Sequence, residues 1–378
     1  MKTPSICICG GGHIAHALAA YLAHRELPVS VFTRRPADWQ ARLEAVLPDG
    51  RRIAGPLRQV SSDPGVAAEA GIVMVAVPRF AAAEVLEKIG PVLSPGQLLL
   101  AVPGGAGFDW MTAALVRRGV TVACLQRVPM ISRTEKYGAL VAIKGFRPGL
   151  RLVVLPDDRY AACQAQVAGL FQQPVRKIAS SLSLTLNSSN PILHPARVTT
   201  MFRDWRPGVI YPRAPLFYEE WDEPASEALI AADAELLAVS RLIPPVWADA
   251  VPVCEYYEST DCASLTAKIR SIPSLKGIQS PMAASGAGWI PDLNSRYFTE
   301  DVPFGTVAIK AVAEMAGVQT PRIDGFIAWM QHHLQAAYVV EGRLNVPGCK
   351  GLPIPQNYGF FTLSDLLGPG PGSRGPNP

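Results

Sequence analysis

The run Gly10-Gly11-Gly12-His13-Ile14-Ala15 follows the apolar stretch Ile6–Cys9 and opens a segment in which Ile14, Ala17, Leu18, Tyr21 and Leu22 recur at helical spacing. A G-x-G-x-x-A run between strand and helix suits a dinucleotide: Gly10 permits the tight turn, Gly12 lets a pyrophosphate approach the backbone, and Ala15 lets helix and strand pack closely. The helix N-terminus, with His13 and Ile14 in its first turn, then faces the phosphates. At the end of the second strand, where an acidic residue would bond the adenosine ribose of NAD, the chain reads Val31-Phe32-Thr33-Arg34-Arg35-Pro36. Thr33 with two guanidiniums suits a ribose 2′-phosphate, so NADPH is the expected cofactor, ahead of NADH. The competing reading makes Arg34 and Arg35 solvated loop residues. Val77-Pro78 and Pro103-Gly104-Gly105 close two later strands, at the edge where a doubly wound sheet opens its ligand crevice, and are expected on the nicotinamide side.

A second group lies beyond residue 180. His194 sits in Asn187-Ser188-Ser189-Asn190-Pro191-Ile192-Leu193-His194-Pro195, where an imidazole titrating near neutrality could exchange a proton with a carbonyl or imine. Asn190 in the same stretch is a candidate substrate contact. The run Asn294-Ser295-Arg296-Tyr297-Phe298-Thr299-Glu300-Asp301-Val302-Pro303 gathers polar groups directly before a helix expected from about Phe304. Asp301 either caps that helix or fixes the tautomer of a histidine, while Arg296 could clamp a substrate carboxylate in a bidentate pair. The other histidines, His13, His16, His24, His332 and His333, lie in the glycine turn or on helical segments.

The elements that must hold these groups differ between the two halves. Apolar or β-branched runs at Ile6–Cys9, Val29–Phe32, Ile72–Val77, Leu98–Val102 and Thr121–Leu125 alternate with helical patterns, which predicts βαβ units and a parallel sheet. Two more runs, Ala139–Ile143 and Leu152–Leu155, are joined by a turn-like Lys144–Gly149 segment. A helix near Asp158–Phe171 and a strand at Val175–Ile178 follow. The expected fold is α/β, an N-terminal Rossmann-like doubly wound sheet over 1–180 and a mostly α-helical domain over 181–367. In the latter, helical periodicity appears at Glu223–Ser240, Thr260–Arg270, Gly305–Ala316 and Ile323–Leu334, punctuated by prolines. The tail 368–378, GPGPGSRGPNP, has nothing to bury and is expected to be disordered.

Composition excludes several classes. With 49% apolar and 17% charged residues among 378, the chain is neither a disordered segment nor, lacking long apolar stretches, a membrane protein. Its 35 basic against 31 acidic residues give a net charge of +4, too small for a nucleic-acid footprint, so an anionic small molecule is the expected partner. Seven cysteines without a repeated CxxC or a histidine pair at zinc spacing argue against a metal site and for a reducing compartment. The opening MKTPSICICGGG lacks the apolar segment of a secretory signal, and a cytoplasmic location is expected. A homodimer is left open.

In the order of these pieces the chain resembles the octopine/nopaline, or opine, dehydrogenase family. The resemblance rests on GGGHIA, on LQRVPMISR over Leu125–Arg133, on NPILHP, on SRYFTEDVPFG, and on TPRID at 320–324. It implies a Rossmann domain plus a helical domain, and NAD(P)H-dependent reductive condensation of an α-keto acid with an amino group. It also implies a His–Asp catalytic pair, matching His194 and Asp301, and a substrate-carboxylate arginine matching Arg296. Pyruvate or 2-oxoglutarate and an amino acid are then the expected substrates. The alternatives are another two-domain reductase, of the ketopantoate reductase or hydroxyacid dehydrogenase type, or a non-catalytic NADP(H)-binding regulator. Reductases of the first kind generally use a lysine, and the lysines between Ser180 and Pro347 are Lys268, Lys276 and Lys310, none of which sits in a cluster like that of His194 or Asp301.

Overall fold

The computed structural model describes residues 4–367. The expected disordered tail therefore lies outside the described residues. The chain divides into two compact units, Met1–Leu184 and Thr185–Pro378.

The first unit contains twelve strands among its described residues: β1 Ile6–Cys9, β2 Val29–Phe32, β3 Arg42–Val46, β4 Arg52–Pro56, β5 Gln59–Ser61, β6 Ile72–Val75, β7 Leu98–Ala101, β8 Thr121–Leu125, β9 Met130–Lys136, β10 Leu140–Phe146, β11 Leu150–Leu155 and β12 Val175–Lys177. Its longer helices are α1 His13–His24, α2 Arg79–Ile89 and α3 Tyr160–Phe171. Eight strands form one sheet in the order β12-β11-β8-β7-β6-β1-β2-β5. From β8 to β5 every neighbouring pair is parallel, and β11 joins antiparallel to β8. The central strands are buried on both faces, as a parallel sheet covered by helices requires. Alternation assigns the faces: Ile6 and Ile8 pack into one apolar cluster with α1, and Cys7 and Cys9 into the opposite one with Val66 and Leu86. The expected strands Ile72–Val77 and Leu98–Val102 end earlier, at Val75 and Ala101, because the chain leaves the sheet towards Pro78 and Pro103.

A second sheet, β4-β3-β10-β9, has no counterpart in the sequence expectation. Ala139–Ile143 and Leu152–Leu155 proved to be parts of strands in different sheets: β10 pairs with β9 and β3, whereas β11 lies in the large sheet. The small sheet packs on the outer side of α1. Gly55 allows the close approach, since a Cβ there would sit 2.2 Å from the Ala23 carbonyl carbon. Helix α1 is thus held between two sheets, and the turn joining β9 to β10 reaches its N-terminal end.

The second unit is mainly helical, with α4 Asn190–Met201, α5 Glu223–Arg241, α6 Cys262–Ser271, α7 Val307–Met315 and α8 Pro321–Leu334 as its longer helices. Asp222 caps α5 by accepting from the Ala225 N–H at 3.1 Å, and Asp261 with Ser264 forms a capping box on α6. The expected helix Gly305–Ala316 begins as a π-helical turn, Val302–Thr306, and becomes α-helical at Val307. Two short hairpins, Met282–Ser285 with Gly288–Pro291 and Val339–Val340 with Arg343–Leu344, complete the regular structure.

Candidate active site

In the first unit the glycine turn joins β1 to α1. Gly10 has φ +146°, and a Cβ there would meet the Ala76 carbonyl oxygen at 2.5 Å, so glycine is required by the protein itself. Gly12 differs: a Cβ on it would have nothing within 4 Å. No internal contact demands glycine there, and the open space above it is what an approaching pyrophosphate would use. Helix α1 has no side-chain cap and no acidic residue in its first turn, which leaves its N–H groups and positive dipole end available to phosphate. His13 and Ile14 stand in that turn, and Ala15 is fully buried against the sheet. Val77 lies next to Gly10, and Pro78 begins α2 at the carboxyl end of β6. These residues fit a nicotinamide dinucleotide.

At the end of β2, Thr33 is buried while Arg34 and Arg35 are exposed. The Arg35 guanidinium lies 3.9 Å from the centre of the Tyr137 ring and pairs with Asp38 at 3.2 Å. The Tyr137 hydroxyl is 2.7 Å from the position of a Cβ on Gly11; burial would raise its pKa, but the polar groups of Arg35, Trp39 and Thr33 around it outweigh burial and lower it. His16 fixes this turn: its Nδ1–H donates to the Gly12 carbonyl at 2.9 Å and its Nε2 accepts the Gly138 N–H at 2.8 Å. Burial lowers its basicity, and both bonds are those of a neutral ring, stacked on Trp39 at 4.2 Å. Tyr137 and His16 were not legible as site residues, because the strand that presents Tyr137 was itself missed.

In the second unit the structure joins His194 to Asp301. His194 Nδ1 and Asp301 Oδ2 are 2.8 Å apart, with side chains only 11% and 15% exposed. The expectation that Asp301 might serve as a helix cap is not how its carboxylate is used, for it makes no cap bond and binds the imidazole.

Two backbone irregularities bring the pair together. Pro195 lies inside α4, so it offers no N–H to the Pro191 carbonyl one turn earlier. The Thr306 hydroxyl, at the end of the π turn, donates to that orphaned carbonyl. The π turn spans five residues, with the Thr306 N–H bonded to the Asp301 carbonyl at 3.0 Å, and it docks Asp301 beside His194.

The ring's other nitrogen is also engaged. Since the carboxylate can only accept, Nδ1 carries the proton and Nε2 accepts from the Tyr218 hydroxyl at 2.9 Å. Tyr218 is buried, and burial pushes its phenol far above the ordinary range. The loop that carries it is gripped by Arg197, one turn after His194 on α4, which donates to the carbonyls of Phe217 and Glu220 and to Asp222 at 2.6 Å. The Tyr297 ring lies 4.5 Å from the imidazole, and Phe217 meets it edge-on at 5.7 Å. Tyr297 stands inside the SRYFTEDVPFG run and Tyr218 in no motif, and neither carries a spacing signal.

Asn190, exposed, stands one turn before His194 on α4. Arg296, 69% exposed, pairs through Nε with the buried Glu300 carboxylate, which raises its pKa and fixes its direction. Two lysines of this unit are otherwise occupied: Lys268 pairs with Glu258, and Lys310, 3% exposed, is bonded to Asp324 at 2.8 Å and to the Gly342 carbonyl at 2.9 Å.

Residues 177–334 match the model of the NAD/NADP octopine/nopaline dehydrogenase alpha-helical domain, and residues 5–103 that of the NADP oxidoreductase, coenzyme F420-dependent, family. Octopine dehydrogenase of Pecten maximus is 27% identical over 395 positions, covering 97% of this chain and 99% of that protein. Tauropine dehydrogenase of Arabella iricolor is 26% identical over 400 positions, with 96% and 99% covered. A solved octopine dehydrogenase structure with NADH and L-arginine superposes with a TM-score of 0.86 at 26% identity, covering 98% of this chain and all of that one. Over residues 177–334 the chain matches the helical domain of the octopine/nopaline dehydrogenase family, and over nearly its whole length it is similar to opine dehydrogenases, oxidoreductases that act on CH–NH bonds.

Proposed function

We propose that the protein reduces, with NADPH, the imine formed between an α-keto acid, pyruvate or 2-oxoglutarate, and the amino group of an amino acid. The single observation that carries this reading is the buried His194–Asp301 pair, with Arg296 five residues before Asp301. Solved octopine dehydrogenase structures with NADH and L-arginine, pyruvate or agmatine supply the substrate classes.

The proton balance states what the residues must do. An ammonium and a keto group give an iminium and water; hydride addition to the iminium carbon, which the nicotinamide supplies when bound, then leaves an amine that takes up one proton. His194 accepts a proton from the ammonium and returns one to the departing carbonyl oxygen, and Asp301 stabilises the imidazolium formed between these events. Arg296 holds the keto-acid carboxylate through the donors that Glu300 leaves, and Asn190 offers an amide to the substrate. Gly10, Gly12, His13, Ile14 and Ala15 cradle the pyrophosphate, with Val77 and Pro78 towards the nicotinamide. Thr33, Arg34 and Arg35 hold the ribose 2′-phosphate, and the missing acid at that point favours NADPH over NADH. Lys310, locked to Asp324, is not available as a reductase lysine, which weighs against a ketopantoate reductase chemistry.

The test is NADPH oxidation, followed by absorbance, with pyruvate or 2-oxoglutarate in the presence and absence of mixed amino acids. Oxidation that needs both substrates is expected; oxidation with keto acid alone would place the protein among hydroxyacid dehydrogenases. His194→Ala should abolish turnover with NADPH affinity unchanged, and Arg296→Lys should raise the keto-acid KM.

A further inference from the structure

The imidazole of His194 has no free nitrogen. Nδ1 is given to Asp301 and Nε2 is covered by the Tyr218 hydroxyl, so a substrate cannot reach the lone pair of Nε2 while Tyr218 stays in place. Tyr218 is held there on several sides. Its ring lies parallel to Trp221 at 6.4 Å and edge-on to Phe217 at 4.9 Å, and Arg197 binds the backbone on both sides of it. The next phenol is Tyr297: its ring lies 4.5 Å from the imidazole, its hydroxyl and that of Tyr218 influence each other's ionisation, and it is only partly buried.

The geometry points to a relay in which the Tyr218 and Tyr297 hydroxyls carry protons between Nε2 of His194 and the substrate. With the Tyr218 O–H committed to Nε2, Tyr297 donates to the Tyr218 oxygen. When the substrate ammonium releases a proton to the Tyr297 oxygen, the Tyr297 proton passes to Tyr218 and the Tyr218 proton to Nε2. The imidazolium then faces Asp301 and both phenols end neutral. Protonation of the departing oxygen runs the same chain in reverse. No phenolate is formed, as befits a phenol buried beside the Asp301 carboxylate. The relay rests on His194 being the acid–base group of the proposed reaction.

The experiment compares wild type, Tyr218→Phe, Tyr297→Phe and His194→Ala with the substrate pair found by the oxidation assay. Each Phe variant keeps its ring and so its packing; thermal melting and NADPH fluorescence titration check that the fold is intact. The readouts are kcat against KM and the proton inventory, the rate in mixtures of H2O and D2O. Under the relay, each Phe variant loses on the order of 10²-fold in kcat with little change in KM, and the wild-type inventory is bowed because several protons move together. Wild-type or faster turnover in Tyr218→Phe would mean that the phenol merely covers Nε2, and would overturn the relay. Full activity in Tyr297→Phe would overturn the second link. Turnover retained in His194→Ala would overturn the acid–base reading itself, a result distinguishable from the other two.

Discussion

Replacing Asp301 by Asn changes one charge and almost no volume, so it isolates what the carboxylate does for His194. The wild-type oxygen lies 2.8 Å from Nδ1, and neither side chain is more than 15% exposed. With charge centres about 4 Å apart and an effective dielectric constant of about 20, the carboxylate stabilises an imidazolium by roughly 4 kcal/mol. An amide oxygen in the same place keeps the hydrogen bond and part of the dipole, so a net loss of about 2–3 kcal/mol is expected, or roughly 30- to 150-fold in kcat. Asn can also turn its NH2 towards the ring and favour the other tautomer, which adds to the loss. The assay is steady-state NADPH oxidation at saturating keto acid and amine. NADPH affinity, read by fluorescence, should not change, because the glycine turn belongs to the other unit. A kcat within threefold of wild type would refute the reasoning, since it would mean that no imidazolium forms in the rate-limiting step.

Three further outcomes are expected. The double change Arg34→Ala with Arg35→Ala should weaken NADPH at least tenfold more than NADH in fluorescence titrations, since both exposed guanidiniums are assigned to the 2′-phosphate; an equal loss would reduce them to general charge. Burial pushes the Asp233 carboxyl up to about 6, although it accepts the Val253 N–H. The native state therefore binds this proton more tightly than the unfolded chain, whose Asp titrates near about 3.9, and the group lowers stability as pH rises from about 4 to about 6. Asp233→Asn should raise stability at pH 7.5 by about 1–2 kcal/mol after allowing for partial exposure, and by nothing at pH 4, in denaturant titrations at the two pH values. Thr306→Val, which orphans the Pro191 carbonyl, should cost about 1–2 kcal/mol, and less in a Pro195→Ala background where the helix itself supplies the missing N–H; equal costs in the two backgrounds would remove the coupling.

The large sheet was legible because its strands are buried on both faces and read as continuous apolar runs bounded by glycine and proline. The small sheet was not. In β3 only Leu43 and Ala45 are buried, in β4 only Ile53 and Gly55, and in β9 only Met130 and Ser132, beside an exposed Ile131. Short strands with one covered face and small or polar inward residues leave no periodic signal. Missing them hid Tyr137 at the β9–β10 turn, and with it a contact to Arg35 and the glycine turn that motif reasoning alone had no means to place.

The helical unit shows the opposite relation between pattern and site. Its regular helices α5, α6 and α8 were readable, yet they carry neither residue of the His194–Asp301 pair. His194 lies on α4, whose Pro191 and Pro195 hide a helix from any propensity argument, and Asp301 precedes a π turn where the sequence suggests a plain helix start. These local departures are what position the pair: the amide that Pro195 lacks creates the acceptor, Thr306 fills it, and the wide turn between Asp301 and Thr306 sets the carboxylate on the ring. Residues that break a helical rule and are then satisfied from another element define a position more tightly than a regular helix, because the Thr306 bond to the Pro191 carbonyl ties α4 to the very turn that carries Asp301. Such a site is recognisable from sequence only through its motifs, since the physical signals of regular structure are weakest where the His194–Asp301 pair is held.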